Sequence, residues 1–215
     1  MENVRYNNYH KHTYYSNICT LDVVTSPEDY MKRALELGHT TYFTTEHGYI
    51  GNVYEAKTLT EKYNLKLIAG LEAYYVKNRL EKDKSNYHLI LIALNTDGYK
   101  DLNYLMSKSN VDGFYYKPRI DDELLFSVNP KNIIVTSACI AGRMRNEDGR
   151  DEWIQKMKNY FGNNFYLEVQ AHNCDSQAKY NKMILEYSKK YDIKIIHAND
   201  SHYISPEDSK YRDLF

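Results

Sequence analysis

Nine side chains able to ligate metal occur along the chain in the order His10, His12, Asp22, His47, Glu72, His88, Cys139, Asp200 and His202. His10 and His12 are two apart where a strand is expected to end, so both imidazoles project to one side. Asp200 and His202 repeat that spacing after IIHAN, the last expected strand. His47 lies in TTEHG, where Gly48 permits a sharp exit from the preceding strand. Glu72 follows the apolar run KLIAGL, where burying a carboxylate without a cation or donor is costly. Cys139 follows IIVTSA. His88 departs from the pattern, because it opens its expected strand instead of closing it. Each residue alone has an ordinary reading: an isolated HxH is often structural, a lone imidazole is commonly a satisfied polar group, and Cys139 serves equally as a small core residue. Together, imidazole, carboxylate and thiol form the mixed set that zinc, manganese or iron prefers. The set exceeds what one tetrahedral ion needs, so two or three divalent ions are expected. Clustered cations acidify bound water to a pKa of about 7, neutralise an attacked phosphate and stabilise the leaving oxygen. The ligand types therefore point to phosphoester hydrolysis.

Such a set needs a frame that brings distant segments together. Short apolar runs alternate with amphipathic stretches, which implies an α/β fold with a largely parallel sheet. Strands are expected at 4–9, 40–44, 66–71, 88–94, 132–136, 165–170 and 193–198. Ser26 can cap a helix that has Pro27 in its first position and Asp29 completing a capping box, with Gly38 as its left-handed stop. Val53, Ala56, Leu59 and Tyr63 share one helical face, which ends near Asn64. Tyr99, Leu102, Leu105 and Met106 form a second stripe. Trp153, Ile154, Met157, Tyr160 and Phe161 form a third, and Tyr180, Met183, Ile184, Tyr187 and Tyr191 a fourth. These stripes read as core. Seven strand–helix units in one chain suggest a distorted (β/α)7 TIM-like barrel, and most of the nine residues fall at strand ends, on the face where such barrels build sites.

The composition limits the partners. The 215 residues fit one domain, and 42% hydrophobic with 27% charged residues is an ordinary balance for a soluble protein. No apolar run reaches the roughly 20 residues needed to cross a bilayer, and the N-terminal MENVRYNNYHKH lacks a signal-peptide core. Cys19, Cys139 and Cys174 are odd in number and show no CxxC spacing, so a cytoplasmic location is expected. The net charge of −1 gives no global basic footprint, although bound divalent cations would supply local positive charge for a nucleic acid. In Tyr115-Tyr116-Lys117-Pro118-Arg119, Lys117 or Arg119 could hold a DNA phosphate while a tyrosine stacks a base; the plain alternative is a rigid loop with solvated charges. His172 could face the site or the surface, and His197 is expected to pack against a helix.

The stretches YHKHTYYSN with Asp22, TTEHG, LEAYYV, NYHLILIALNTDGYKDLNYL, GFYYKPRID, VTSACIAG, FYLEVQ and NDSHYISPED cover nearly the whole chain. In them the chain resembles the PHP (polymerase and histidinol phosphatase) domain, in the branch found at the N-terminus of the bacterial DNA polymerase III alpha subunit. The resemblance implies the distorted barrel with a multinuclear metal site, and all nine residues fall on ligand positions of the family motifs. An intact set implies a working 3′–5′ exonuclease used in proofreading, acting on a DNA 3′ end, with the remaining polymerase portion or other replisome subunits as partners. Two positions depart from the family pattern. Glu46 stands where an Asp is usual, which changes the reach of its hydrogen bond to the neighbouring ligand. The spacing from His12 to Asp22 is longer than usual, which leaves Cys19 as a rival for that position. The chain stops at Arg212-Asp213-Leu214-Phe215, so the expectation is a single PHP domain over residues 1–215, with polymerase palm and fingers absent.

Three other activities fit parts of the pattern. A free-standing phosphatase of the histidinol-phosphatase type would use the same ligands on a small monoester. A non-catalytic element that positions a polymerase or a proofreading subunit would keep the fold alone. An amidohydrolase also begins with HxH but lacks the later Asp200-x-His202 pattern.

Overall fold

The computed structural model describes residues 6–212. Among these residues eight strands are formed: β1 (Thr41–Phe43), β2 (Lys66–Ile68), β3 (Gly70–Tyr75), β4 (Tyr87–Ala93), β5 (Arg119–Ile120), β6 (Ile133–Thr136), β7 (Phe165–Gln170) and β8 (Ile195–Ala198). Helix α1 (Pro27–Glu36) precedes β1, the helices α2 (Val53–Tyr63), α3 (Thr96–Val111), α4 (Asp122–Leu125), α5 (Arg150–Phe161) and α6 (Asp175–Tyr191) run between strands, and α7 (Ser209–Arg212) follows β8. Of the first expected strand, residues 4 and 5 lie outside the described residues and 6–9 are irregular. The expected chain-terminal residues 213–215 also lie outside them.

The strands pair as a two-stranded sheet, β1-β2, and a six-stranded sheet ordered β5-β3-β4-β6-β7-β8. The larger sheet is mixed, so the expected α/β class is formed while one strand departs from the largely parallel pairing. Strand β4 runs antiparallel to both β3 and β6, whereas β3/β5, β6/β7 and β7/β8 are parallel. The run expected as a single strand at 66–71 divides at Ala69 into β2 and β3, and β3 continues to Tyr75. Isolated parallel bridges join Lys11 to Ser201 and His47 to Glu72, linking segments of the two sheets.

The helix signals in the sequence appear where local chemistry puts them. The Ser26 side chain accepts the Asp29 amide, Pro27 opens α1, and Gly38 follows with φ +74°. The hydroxyl of Ser26 also donates to Asp29 Oδ2 at 2.6 Å. Helix α2 ends on left-handed Asn64. The stripes of α3, α5 and α6 pack against the six-stranded sheet, where Leu102, Leu105, Trp153, Ile154, Met157 and Ile184 are buried with Leu89, Leu91, Val135 and Leu167. A second cluster on the opposite sheet face joins Tyr9, Ile90, Ile92, Ala138 and Ala198. Tyr30, Met31, Tyr42, Ala56 and Leu65 pack α1 and α2 onto the small sheet. Gly98 is fixed by closeness, since a Cβ there would lie 2.1 Å from the Asn132 carbonyl oxygen.

Candidate metal centre

Antiparallel pairing of β4 explains the placement of His88. A strand running opposite to its neighbours brings its first residues to the end where parallel neighbours finish, so His88 arrives beside the segments that follow β1, β6 and β8. It lies diagonally across from Glu72, because Glu72 pairs with Ile90 and His88 with Tyr74. The Nδ1 of His88 is 3.0 Å from Glu72 Oε1. The turns after β6 and β8 place Ala138 (φ +57°) and Asp200 (φ +49°) in the left-handed region. Each costs about 1–2 kcal/mol for a residue with a Cβ and aims the adjacent ligand inward.

The nine residues converge. His10 Nε2 lies 3.2 Å from both Glu72 Oε1 and Asp200 Oδ1, and His12 Nε2 lies 3.2 Å from Asp200 Oδ1 and 3.5 Å from Glu72 Oε2. His47 Nδ1 is 2.5 Å from Glu72 Oε2, and Asp22 Oδ2 is 3.3 Å from His202 Nε2 and 3.8 Å from His47 Nε2. Cys139 Sγ sits 3.7 Å from His88 Nδ1. Asp22 faces the imidazoles of His47 and His202; the Cys19 thiol packs close to Gly48, where a Cβ would lie 2.8 Å from Pro118 and 3.0 Å from Tyr74.

Hydrogen bonds from behind fix the tautomers. His10 Nδ1–H donates to Glu168 Oε1 at 2.9 Å, which turns its Nε2 toward the centre. Ser16 donates its hydroxyl proton to Glu46 Oε2 (2.6 Å), so it accepts from His12 Nδ1–H (3.0 Å) and from the His47 amide (3.1 Å). His202 Nδ1–H donates to the Asp200 carbonyl at 3.0 Å. Glu46, longer than the usual Asp, is buried and also accepts from Thr13 (amide 2.8 Å, hydroxyl 2.7 Å) and from Asn52 (2.9 Å). It therefore steadies His12 through Ser16.

The chemistry of the donor set fits metal ions. With Nδ1 of His10 and His12 bonded outward, their Nε2 atoms point at carboxylate oxygens, an array that a cation satisfies when the imidazoles are neutral and that protons satisfy otherwise. His10 Nε2, His12 Nε2, His47 Nδ1, both Glu72 oxygens, Asp22 Oδ1 and Asp200 Oδ1 are all buried without a hydrogen-bond partner. Three groupings, His12/His47/His202, His10/His12/Glu72 and His47/Glu72/His88, each bring their ligand atoms within 4.8 Å of one another. Protons respond to the same field. Burial pushes the His10 and His47 pKa values down, yet for His10 the carboxylates of Asp200, Glu168 and Glu72, and for His47 those of Glu72 and Asp22, prevail; His10 ends well above the usual range and His47 rises to about 9. Burial and the neighbouring His47 drive His12 well below its ordinary value. Burial raises the carboxyls of Asp22, Glu72 and Asp200, but the surrounding imidazoles outweigh it and hold all three below the carboxylate range. Burial, with Asp200 and Glu72 nearby, pushes the Cys139 thiol well up.

Among the other expected residues, Lys117 lies at the edge of the centre. Its ammonium donates to the Cys19 carbonyl and to Thr20 Oγ1 (2.7 Å) and sits 5.1 Å from the centroid of the Tyr74 ring, which packs beside His47 and His88. Arg119 is not placed to receive a phosphate. It is 2% exposed, and its guanidinium donates to the carbonyls of Gly113 (2.9 Å), Asp83 (2.7 Å) and Arg79 (2.6 Å). His172 is exposed, and His197 is exposed with its ring edge against Tyr6 instead of a helix. Sequence reasoning missed Glu168, Ser16 and Tyr9. The signal for Glu168 was its place in FYLEVQ: in a strand covered on both faces, a carboxylate beside apolar neighbours requires donors.

A family model described as PHP domain matches residues 8–172. The chain belongs to the PHP domain family. It is 35% identical to the DNA polymerase III subunit alpha of Aquifex aeolicus over 93% of its own length, and 35% identical to that of Borreliella burgdorferi over 98%. It spans 18% and 19% of the length of those relatives. Two solved structures share the PHP chain's fold. One is a provisionally named metal-dependent phosphoesterase of Bifidobacterium adolescentis (TM-score 0.57, 14% identity, covering 93% of this chain and 88% of that one). The other is an amidohydrolase of Chromobacterium violaceum solved with sulfate and no metal (TM-score 0.58, 10% identity, covering 91% and 87%).

Proposed function

We propose that this PHP domain is a metal-dependent phosphodiesterase that removes nucleotides from a DNA 3′ end, as the proofreading exonuclease of an alpha-type polymerase. The observation that carries the reading is the set of buried imidazole nitrogens and carboxylate oxygens that face one another without a hydrogen-bond partner and gather within ligand distance. Its frame is read as a distorted (β/α)7-type barrel, with residues 6–12 closing the gap between β8 and β1. His10, His12, Asp22, His47, Glu72, His88, Cys139, Asp200 and His202 would hold two or three ions of zinc, manganese or iron. Such ions supply an acidified water and offset phosphate charge.

The rest of the work belongs to the chain itself. Glu168, the Glu46–Ser16 pair and the Asp200 carbonyl hold the imidazoles of His10, His12 and His202 in the tautomer that offers Nε2. Asp22, Glu72 and Asp200 balance cation charge, so an incoming phosphodiester meets a site that is not strongly cationic. Lys117, at the rim, is the side chain proposed to meet the DNA phosphate, while Arg119 braces its loop. No helix among the described residues is long and apolar enough to cross a membrane; the names of the relatives support, as part of this proposal, a cytoplasmic setting beside the remaining polymerase portion or other replisome subunits.

The test joins elemental analysis to a time course on a 5′-labelled single-stranded oligonucleotide, run in parallel with a small phosphomonoester. The expected result is stoichiometric metal and stepwise shortening from the 3′ end, abolished by His12→Asn. Hydrolysis of the monoester alone would move the assignment to a small-molecule phosphatase. Bound metal with neither activity would make the domain a structural element.

A further inference from the structure

A pocket separate from the metal centre lies beside it. It occupies about 630 Å³ on the other side of the same two segments, bounded by α1, β1 and residues 199–204. Side-chain alternation makes these segments two-faced: His10 and His12 point into the centre while Lys11 lines the pocket, and Asp200 and His202 point inward while Asn199 and Ser201 line it. The pairing of Lys11 with Ser201 holds the two segments together, with the His12 amide donating to the Ser201 carbonyl at 2.8 Å.

Charge and shape in this pocket are one-sided. Lys11, Arg33 and His39 line it, and among the described residues no Asp or Glu does. Lys11 is only 5% exposed, yet among the described residues its ammonium has no carboxylate partner; it donates to the Phe43 carbonyl and lies 3.8 Å from the centroid of the Tyr42 ring. Besides that carbonyl and ring, the Glu46 carboxylate acts on Lys11 without forming an ion pair with it, and burial outweighs that attraction, so the ammonium is only partly compensated. In the same wall the Tyr42 hydroxyl is buried without a hydrogen-bond partner. Arg33, exposed on α1, also reaches Glu36 at 2.9 Å, so it stands at the mouth and not in the floor. Tyr30 and Tyr42 contribute buried rings, and Tyr203 is 36% exposed. The volume is that of a small-molecule site. An inorganic anion would leave the aromatic part empty, whereas a ring that carries a phosphate would use both parts.

We propose that this pocket is a metal-independent binding site for a nucleoside monophosphate, with its phosphate beside Lys11 and its base against the tyrosine rings. The site is distinct from the hydrolytic centre and uses none of its ligands. It can therefore be measured with the metal removed, and its failure would leave the exonuclease reading untouched.

The experiment is isothermal titration of the EDTA-treated chain with dTMP, thymidine and inorganic phosphate separately. The expected result is one dTMP per chain, with thymidine and phosphate each at least about tenfold weaker. Lys11→Met should weaken dTMP by at least about tenfold, as loss of a charged hydrogen bond does, and Arg33→Ala by less. Thermal midpoints without ligand establish that the variants fold. If Lys11→Met does not fold, Arg33→Ala and Tyr203→Ala, both at the pocket mouth, carry the test and should each weaken dTMP. Absence of saturable dTMP binding, or binding unchanged by every variant that folds, overturns the proposal. Phosphate binding as tightly as dTMP overturns its nucleoside part.

Discussion

Replacing Glu168 with glutamine tests whether the metal centre is held from behind as its geometry implies. The buried carboxylate accepts four donors: His10 Nδ1–H at 2.9 Å, Thr136 Oγ1 at 3.1 Å, Gln170 Nε2 at 2.7 Å, and the Tyr9 hydroxyl. Glutamine keeps the shape but presents one acceptor oxygen and one NH2 group. The hydroxyls of Tyr9 and Thr136 can rotate to accept, but the N–H groups of His10 and Gln170 cannot, and both approach the same oxygen, Oε1. If the substituted amide kept its oxygen toward them, the remaining loss is the negative charge that makes His10 a stronger donor to a cation. Loss of such an orienting carboxylate lowers metal affinity by about 10–100-fold, equivalent to about 1.4–2.7 kcal/mol. If the amide turned the other way, a buried donor would be stranded at about 1–3 kcal/mol, and the metal-free thermal midpoint would fall by roughly 2–10 °C for a domain of this size. Competition against a chelator of known affinity measures the first quantity, and calorimetry of the EDTA-treated chain the second. Metal affinity within about twofold of the parent would refute the argument that Glu168 sets the basicity and tautomer of His10, whatever happened to the midpoint.

Ser16→Ala should lower metal affinity by about tenfold or more, because Ser16 links His12 and the His47 amide to Glu46; an unchanged chelator titration would contradict that linkage. Arg119→Met should cost about 2–4 kcal/mol in urea denaturation, since three carbonyls lose a charged donor, and the folded fraction should bind a single-stranded oligonucleotide as the parent does; a selective loss of oligonucleotide binding would restore Arg119 as a phosphate contact. The metal-free chain should lose stability on acidification. The folded pKa values of Asp22, Glu72 and Asp200 lie below their unfolded ones, so their contribution is complete above about pH 4.5 and is lost as pH falls. His12, lowered by burial and His47, adds a loss that begins below about pH 6.5, while His10 and His47, raised by the carboxylates around them, oppose with a gain that is complete below about pH 6, and Glu46, raised by burial, opposes as one further group. Urea midpoints of the EDTA-treated chain from about pH 5.5, where the gain from His10 and His47 is complete, down to about pH 3.5 check this, with Asp200→Asn expected to flatten the fall; a midpoint rising toward the acid end of that range would show that the sign is wrong.

The helices were legible because their signals are local. Ser26, Pro27 and Gly38 define α1 through contacts within a few residues, and the stripes of α3, α5 and α6 follow from a period that no distant partner can change. Strand direction was not legible. The run at 88–94 has the same apolar character whichever way it pairs, and only the chain path through residues 76–86 decides that β4 returns antiparallel to β3. The division of 66–71 at Ala69 is likewise set by pairing, since Lys66–Ile68 joins β1 while Gly70 onward joins β4. Tyr6 and Tyr9 have rings suited to a strand, yet Tyr9 is buried by packing with Ile90 and Ile92 without a ladder of its own.

The candidate ligands were readable because their residue types are expensive to bury without a partner, so their recurrence at expected strand ends called for one explanation. Their supports were not readable, because Ser16, Thr13 and Tyr9 are ordinary polar residues whose role depends on where the chain brings them. His88 shows how the two kinds of information meet. On a parallel sheet it would open its strand at the far end, away from Asp200 and Cys139; on antiparallel β4 the same position places it 3.0 Å from Glu72 and 3.7 Å from Cys139. The residue that broke the sequence pattern thus carried information about topology: if His88 is a ligand with the others, the strand it opens must run against its neighbours. A ligand inventory, which concerns chemistry, can in this way constrain strand direction, which apolar periodicity leaves open.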